Sequence, residues 1–501
     1  MGSRETSQQN LTGGKPGAVA STKMRLHMLL AALAGLALRI FFIVKFPVTD
    51  SGDAPFYIQL AWNWLKNRVY GFPIQGVLTP VDMRTPGYPA FVASVFAFAG
   101  NSPRAVMLAQ AVLDVATCFV IALIAARLAP AGFRRRVFIG ALWLAALCPL
   151  TANYTAVVIT ETVVTLLTAL AILILVETDV GVGQETGKAG FFSNWFLAGI
   201  VVGFGTLVRP ETPVLLFAAG LVLVAKWWRP RDWARLVRAT ALMALGLILP
   251  LLPWAARNWS TLHEVQFLAP RHSELPGEYT PMGFIDWTNT WLWRMRDVFS
   301  THWRLNSDPI SVNDLPSSAF DSPEERARVA QLLAEYNKTA DMGPALDAQF
   351  REIARERTAR DPLRTYAEVP FLRCVTLWFS PRIDLLPISG DLWPVKQAWQ
   401  DDRTDFLESW TMVLANAFYV ALGVAGLWAV RRRPWCFFLP VFIVVRTVFF
   451  AYAVETPEPR YVLECFPALI ALGAQVFSSG FWGSDFWGAR FRGSVFGTPE
   501  A

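Results

Sequence analysis

Residues 84–100 read Arg84-Thr-Pro-Gly-Tyr-Pro-Ala-Phe-Val-Ala-Ser-Val-Phe-Ala-Phe-Ala-Gly100, and how this stretch meets a membrane decides the fold. Its apolar part, 87–100, is about 14 residues long, whereas roughly 20 are needed to cross ~30 Å of hydrocarbon. Length therefore predicts a re-entrant or interfacial helix. The basic clusters agree, because cytoplasmic loops collect Lys and Arg. If 87–100 does not span, Lys23/Arg25, Arg134–Arg136, Lys226 to Arg238, Arg431–Arg433 and Arg490/Arg492 all fall on one face. If it spans, the N-terminal cluster opposes the rest. The loop Glu177 to Gly190 is the exception, lying on the same face with only Lys188.

The other apolar runs are Met24–Phe46, Ala105–Ala129, Val137–Leu150, Thr162–Val176, Phe192–Val208, Pro213–Trp228, Ala239–Trp254, Phe406–Val430, Trp435–Val454 and Tyr461–Phe477. They predict an all-α polytopic membrane protein of about ten transmembrane helices, with juxtamembrane helices and both termini cytoplasmic. Of 501 residues, 54% are hydrophobic, 13% aromatic and 17% charged. Soluble domains carry about 25% charged residues, so too little polar surface exists to wrap a water-soluble fold. A nucleic-acid module is excluded. The net charge of +6 is mainly an orientation signal. None of the five cysteines forms a Cys-x-x-Cys pair, which excludes a zinc cluster or a disulfide framework.

This pattern divides the chain into a disordered cytoplasmic tail (1–22), an N-terminal transmembrane module (23–256) with a first extracytoplasmic loop (47–103), an extracytoplasmic segment (257–405), C-terminal transmembrane helices (406–480) and a cytoplasmic tail (481–501). The 257–405 segment predicts a mainly helical subdomain. Asp321-Ser-Pro-Glu-Glu reads as a helix cap followed by Pro and acidic first-turn residues. Stretches 287–303 and 345–360 alternate basic and aromatic residues, which suits either a headgroup surface or helices packed on each other. Trp62, Trp64 and Tyr88 read as interfacial anchors, and His263, His272 and His302 as solvated loop histidines.

The topology gathers Asp50, Asp53, Arg84, Glu161, Arg209, Glu211, Arg257, Glu455, Glu458 and Arg460 at the extracytoplasmic ends of spans. Ionisable groups at membrane depth are expensive and mark functional sites or ion-pair networks. In the first loop, Asp50 and Asp53 stand three apart at a Ser/Gly turn entering a helix. One of them is a candidate general base toward an acceptor hydroxyl or amine, and a simple N-cap is the alternative, fitting Asp50 better.

The order of motifs resembles the GT-C-fold glycosyltransferases, specifically bacterial relatives of protein O-mannosyltransferases and lipid A aminoarabinose transferases. The matching elements are Asp53-Ala-Pro-Phe-Tyr57 before a Leu-Ala helix, Arg84-Thr-Pro-Gly-Tyr-Pro, Thr160-Glu161-Thr162, Gly203 to Arg209-Pro-Glu211, Pro253-Trp-Ala-Ala-Arg257-Asn, and Pro459-Arg460-Tyr-Val-Leu with Pro467. The resemblance implies an inverting glycosyltransferase that moves a sugar from a polyprenyl-phosphate donor to a lipid, glycan or protein acceptor. It places the enzyme in a bacterial cytoplasmic (inner) membrane, with the site on the extracytoplasmic side.

It further implies Asp53 as base, with Asp50 as rival because the family often shows adjacent Asp-Glu. Arg84 would bind the lipid phosphate, with Arg257 and Arg460 behind it, and Glu161, Arg209, Glu211 and Tyr57 would support them. Arginine forks suit a phosphate leaving group. No cofactor is expected. A divalent cation between Asp50, Asp53 and phosphate is disfavoured because arginines supply the positive charge. The alternatives are a flippase for a lipid-linked glycan and a non-catalytic protein of the same fold. A flippase predicts inverted repeats, of which the sequence displays none, and ionisable residues at the midplane rather than gathered at one face.

Overall fold

Every apolar run is helical in the computed structural model, which describes residues 16–478 except 51, 179–187, 229–230, 271, 273–278, 382, 384, 391, 393 and 434–436. The expected tail 481–501 and most of the tail 1–22 lie outside the described residues. The chain enters through α1 (Pro16–Lys45), turns into α2 (Ala54–Asn67), makes a hairpin of β1 (Gly71–Ile74) and β2 (Val77–Pro80), and continues as α3 (Gly87–Ala99). Next come α4 (Pro103–Leu128), α5 (Arg134–Ala146), the short α6 (Pro149–Ala152), α7 (Glu161–Val176), α8 (Lys188–Val208), α9 (Val214–Trp227), α10 (Trp233–Ile248) and α11 (Leu252–Leu262).

Among the described residues, five helical stretches can cross a membrane by length and apolar composition: Thr22–Lys45, Pro103–Leu128, Trp233–Leu262, Arg403–Val430 and Pro459–Ser478. Ala131–Ala146 with Pro149–Ala156, bent by 50°, makes a sixth. Glu161–Val176, Asn194–Val208, Val214–Trp227 and Phe438–Ala453 are shorter apolar helices packed into the same bundle. At about 1.5 Å per residue, α3 covers only ~20 Å. It lies against α2, α4 and α8 and leaves Phe98 almost fully exposed.

The bend in the sixth span shows how the bundle tolerates irregular backbone. Pro149 has no N–H, so the helix ladder ends with carbonyls unserved. Side chains supply most of the donors, beside the Cys148 N–H, which reaches Ala145 O at 3.3 Å. Tyr419 Oη donates to the Leu144 carbonyl at 2.7 Å, and Arg39 Nη2 reaches Ala145 O at 3.4 Å while Nη1 donates to Ala146 O. Arg39 also pairs with Asp114 on α4, at 2.9 Å from Nε and 2.6 Å from Nη2. Both residues are buried. Non-helical backbone at membrane depth persists only where protein groups satisfy it, and this pair performs that task.

The hairpin was not expected from the sequence. Gln75 and Gly76 both adopt positive φ, 48° and 83°, which is the two-residue turn that matches the twist of paired strands. Its flanking strands are too short for alternation to show.

The segment between the membrane runs contains α12 (Met282–Asn289), α13 (Met295–Phe299), α14 (Pro323–Tyr336), α15 (Pro344–Arg360), α16 (Val369–Phe379) and α17 (Val395–Asp401). Ser322 caps α14 by accepting from Glu325 N at 3.2 Å, with Pro323 next, as the sequence predicts. Trp287 and Trp291 are fully buried in a separate core with Phe284 and Phe350, so these two pack inside the subdomain, while Phe299 and Trp303 of the same stretch are exposed. His302 is likewise no solvated residue. It meets Thr288 Oγ1 at 2.9 Å, and burial, then Arg373, pulls its imidazole down to about 4. Arg373 of α16 ties this subdomain to the bundle, donating to Leu292 O at 2.8 Å, Asn289 Oδ1 at 2.9 Å and Val454 O at 3.3 Å.

The chain closes with α18 (Arg403–Val430), α19 (Phe438–Ala453), a 3₁₀ segment at Pro459–Cys465 and α20 (Phe466–Gly473), which is buried along its whole length.

Candidate functional site

Asp53 precedes α2, with Pro55 in the helix's first turn. As the N-cap residue it makes no side-chain cap bond; its carboxylate faces two arginines instead. Arg84 Nη2 donates to Oδ1 at 2.9 Å, and Arg460 Nη1 to Oδ2 at 3.4 Å. Burial alone would raise the carboxyl pKa, but Arg460 and Arg84 outweigh it and hold Asp53 below the ordinary carboxylate range. Asp50 is exposed and makes no ion pair among the described residues.

Three chain segments converge to make this contact. Val48 N donates to Ala156 O at 2.9 Å, laying the loop before α2 beside the start of α7. Arg84 is held by its backbone, since Tyr70 Oη donates to the Arg84 carbonyl at 2.8 Å. At Gly87 an added Cβ would lie 2.6 Å from the Leu207 carbonyl, so only glycine lets the start of α3 abut the end of α8. That approach brings Arg84 near the residues following α8.

Those residues form the second half of the site. Arg209 Nη1 donates to Glu161 Oε1 at 3.0 Å, and Nε lies 3.7 Å from Glu211 Oε2. Tyr461 joins the halves: the Arg209 and Arg460 guanidiniums stand 5.3 and 5.6 Å from its ring centroid. Glu458 Oε2 lies 2.5 Å from Arg460 Nε. Tyr57 is buried and packs edge-on against Tyr88 at 4.9 Å, whose hydroxyl donates to Gln110 Oε1 at 2.6 Å. Tyr88 is thus a core residue and not an interfacial anchor. Burial first, then Asp53 and Glu161, raise the Tyr57 phenol pKa against the pull of Arg84 and Arg209.

Asp53, Arg84, Arg460, Glu161, Arg209, Glu211 and Tyr57 therefore form one cluster, which also takes in Glu458, gathered at the span ends by the topology but given no role by the motifs, and Tyr461. Glu458 stands two residues before Arg460, and Tyr461 follows it, so neighbourhood to a motif arginine was the available signal. Arg257 is elsewhere. It donates to Val81 O and Tyr70 O, both at 3.0 Å, and stacks on Tyr70 and Trp254. With Arg68, Trp64 and Pro86 it lines a separate pocket of about 330 Å³. Its donors clamp the hairpin and leave Asp53 to the other two arginines. Among the described residues, no group of three or more His, Cys, Asp or Glu is placed to hold a metal ion.

Residues 83–254 match the family model of dolichyl-phosphate-mannose-protein mannosyltransferases, about a third of the chain. No curated protein matches the chain. Among solved structures, oligosaccharyltransferase AglB from Archaeoglobus fulgidus, in complex with an inhibitory peptide and a dolichol-phosphate, aligns over 96% of this chain and 53% of its own, at 13% identity and TM-score 0.50. An A. fulgidus oligosaccharyltransferase tethered to an acceptor peptide aligns over 93% and 50%, at 14% identity and TM-score 0.47. ArnT from Cupriavidus metallidurans bound to undecaprenyl phosphate aligns over 93% and 80%, at 11% identity and TM-score 0.35. The chain spans about half the length of the oligosaccharyltransferases it matches. The fold shared with AglB and the match over residues 83–254 together identify the chain as a polytopic membrane protein of the GT-C fold.

Proposed function

We propose that this chain is an inverting glycosyltransferase that takes a sugar from a polyprenyl-phosphate donor at the outer face of a bacterial cytoplasmic membrane. The observation that carries the proposal is the Asp53 carboxylate bracketed by Arg84 and Arg460, an anion and two guanidiniums in one half-buried site, which suits a base beside a phosphate-binding pair. The mannosyltransferase match over 83–254 and the dolichol-phosphate in the AglB complex point to the same donor class.

In the proposed reaction Asp53 removes the proton of an acceptor hydroxyl or amine as that group attacks the anomeric carbon. The bond from that carbon to the phosphate oxygen breaks, and polyprenyl phosphate leaves with the electron pair. In-line attack inverts the anomeric centre. Arg84 and Arg460 meet the charge that develops on the leaving phosphate, where fixed donors contribute most. An incoming phosphate competes with Asp53 for both guanidiniums, so donor binding itself frees the base. Arg209, between Glu161 and Glu211, orients the second half of the site, and the lipid-facing side of α3 offers a path for the prenyl tail. Segment 257–405 caps the site from outside and selects the acceptor, while modules 23–256 and 406–480 together build the site beneath it.

The test is release of polyprenyl phosphate from a panel of polyprenyl-phosphate-linked sugars by the purified chain in liposomes containing envelope lipids and glycans. Wild type turns over at least one donor, and Arg84→Ala raises its KM about tenfold or more, the effect of losing about 1.4 kcal/mol or more of phosphate binding. No release from any donor would sink the proposal.

A further inference from the structure

Arg446 and Glu464 form an ion pair fully shielded from solvent, and the chemistry above does not use it. Arg446 lies in the middle of α19. Its Nε donates to the Tyr461 carbonyl at 2.8 Å, and its Nη2 donates to Glu464. The guanidinium also sits 4.8 Å from the centroid of the Phe450 ring, which stacks on Tyr461 at 4.7 Å and 11°. The second Glu464 oxygen accepts from Thr168 Oγ1 at 3.0 Å. Thr168 belongs to α7, two turns along from Glu161.

One buried pair therefore grips three things: α19, the 3₁₀ segment carrying Arg460 and Tyr461, and the helix that begins with Glu161. Such a pair is a poor source of stability, because desolvating two charges consumes most of their attraction and apolar replacements are often tolerated. Its geometry is better suited to fixing position. The contact to the Tyr461 carbonyl is one residue from Arg460, whose reach to Asp53 is already long at 3.4 Å. A small rotation of this segment would withdraw the guanidinium.

We infer that Arg446 and Glu464 are positioning residues that hold Arg460 against Asp53 and keep it in register with the Glu161–Arg209 half of the site. The inference rests on the glycosyltransferase proposal for its kinetic consequence, though not for its geometry.

The test uses the full chain in liposomes and the double variant Arg446→Met/Glu464→Leu, which removes both charges and strands neither. The expected result is wild-type yield and melting temperature, with donor KM raised about tenfold or more and kcat changed less. Arg446→Lys keeps the pair with Glu464 and recovers part of the loss. A purely structural role would lower the folded amount and leave KM per folded molecule unchanged, and that result overturns the inference. Should the double variant fail to fold, Arg446→Lys alone carries the same comparison through its shorter reach to the Tyr461 carbonyl.

A second measurement needs no activity. In Asp53→Cys/Arg460→Cys protein, a short bifunctional thiol reagent bridges the two positions, and adding Arg446→Met/Glu464→Leu slows bridging about fivefold or more. Equal rates overturn the positioning role even if wild type transfers no sugar, so the two proposals fail separately.

Discussion

Asp53→Asn lowers kcat for sugar transfer by about 10²–10⁴-fold, the usual contribution of a general base, without raising donor KM. The second half of that expectation follows from the geometry. Asp53 occupies Arg84 and Arg460, so a neutral amide competes less well for them and the donor phosphate binds at least as tightly as in wild type. A residue that merely anchored the donor would show the opposite pattern, a raised KM with kcat retained. Steady-state kinetics on equal amounts of folded protein separate the two.

The pH dependence follows with a definite sign. The two arginines hold Asp53 below the ordinary carboxylate range in the free protein, so it stays ionised and able to act as a base until the pH falls through that lowered value. The acid limb of kcat/KM, which reports the free enzyme, therefore lies below the usual carboxylate pKa. Bound donor phosphate engages the arginines and adds negative charge nearby, which raises the Asp53 pKa. The acid limb of kcat must then lie at higher pH than that of kcat/KM. Arg460→Ala moves the kcat/KM limb upward as well, by removing one of the two cations. Coincident limbs in wild type would show that phosphate does not compete for the arginines.

Arg39→Leu destabilises the protein by about 3–5 kcal/mol, the cost of leaving a buried ion-pair partner unmatched. The loss has two sources. Asp114 retains a buried carboxylate without its cation, and the Ala146 carbonyl at the bend before Pro149 loses its donor. Asp114→Asn also leaves a buried charge unmatched, that of Arg39, but its cost is smaller because the guanidinium keeps the amide oxygen and the Gly35 and Ala146 carbonyls as acceptors. Thermal unfolding in lipid or detergent ranks the variants. The pair is buried in the bundle, and the hydrogen-bond partners of Arg39, namely Asp114, Cys118 and the Gly35, Ala145 and Ala146 carbonyls, include none of the Asp53 cluster, so transfer per folded molecule is unchanged in whatever fraction folds.

These two residues show where sequence reading works and where it stops. Asp53, Arg84, Arg209 and Arg460 were legible because each follows or precedes an apolar run and sits in a short motif, and alternating spans bring such ends to one level. Arg39 and Asp114 are opposite charges within two apolar runs, a signal that they matter, but not that they meet. Their partner is the bend at Pro149, and the need for a donor there appears only when the helix break is seen. Arg257 is the reverse case, lying apart from the Asp53 cluster. Its motif was visible, yet its guanidinium is spent on the Tyr70 and Val81 carbonyls of a hairpin whose strands are too short to announce themselves. Trp287 and Trp291 carry composition that fits an interface equally well, and only the packing of Trp287 on Phe350 and of Trp291 on Trp287 shows that they are core. Tyr88 was misread for a similar reason. An aromatic residue opening a juxtamembrane helix looks like an anchor until Gln110 is found to accept its hydroxyl from within the bundle.

The most direct test of the central claim is an experimental structure of the full chain in lipid with undecaprenyl phosphate bound. The account predicts the phosphate within about 3 Å of both the Arg84 and Arg460 guanidiniums, the hydrogen-bonding range for charged partners, with the Asp53 carboxylate released from at least one of them. A phosphate seated only at the basic end around Arg134–Arg136 or in the Arg257 pocket, with both Asp53 ion pairs intact, would contradict it.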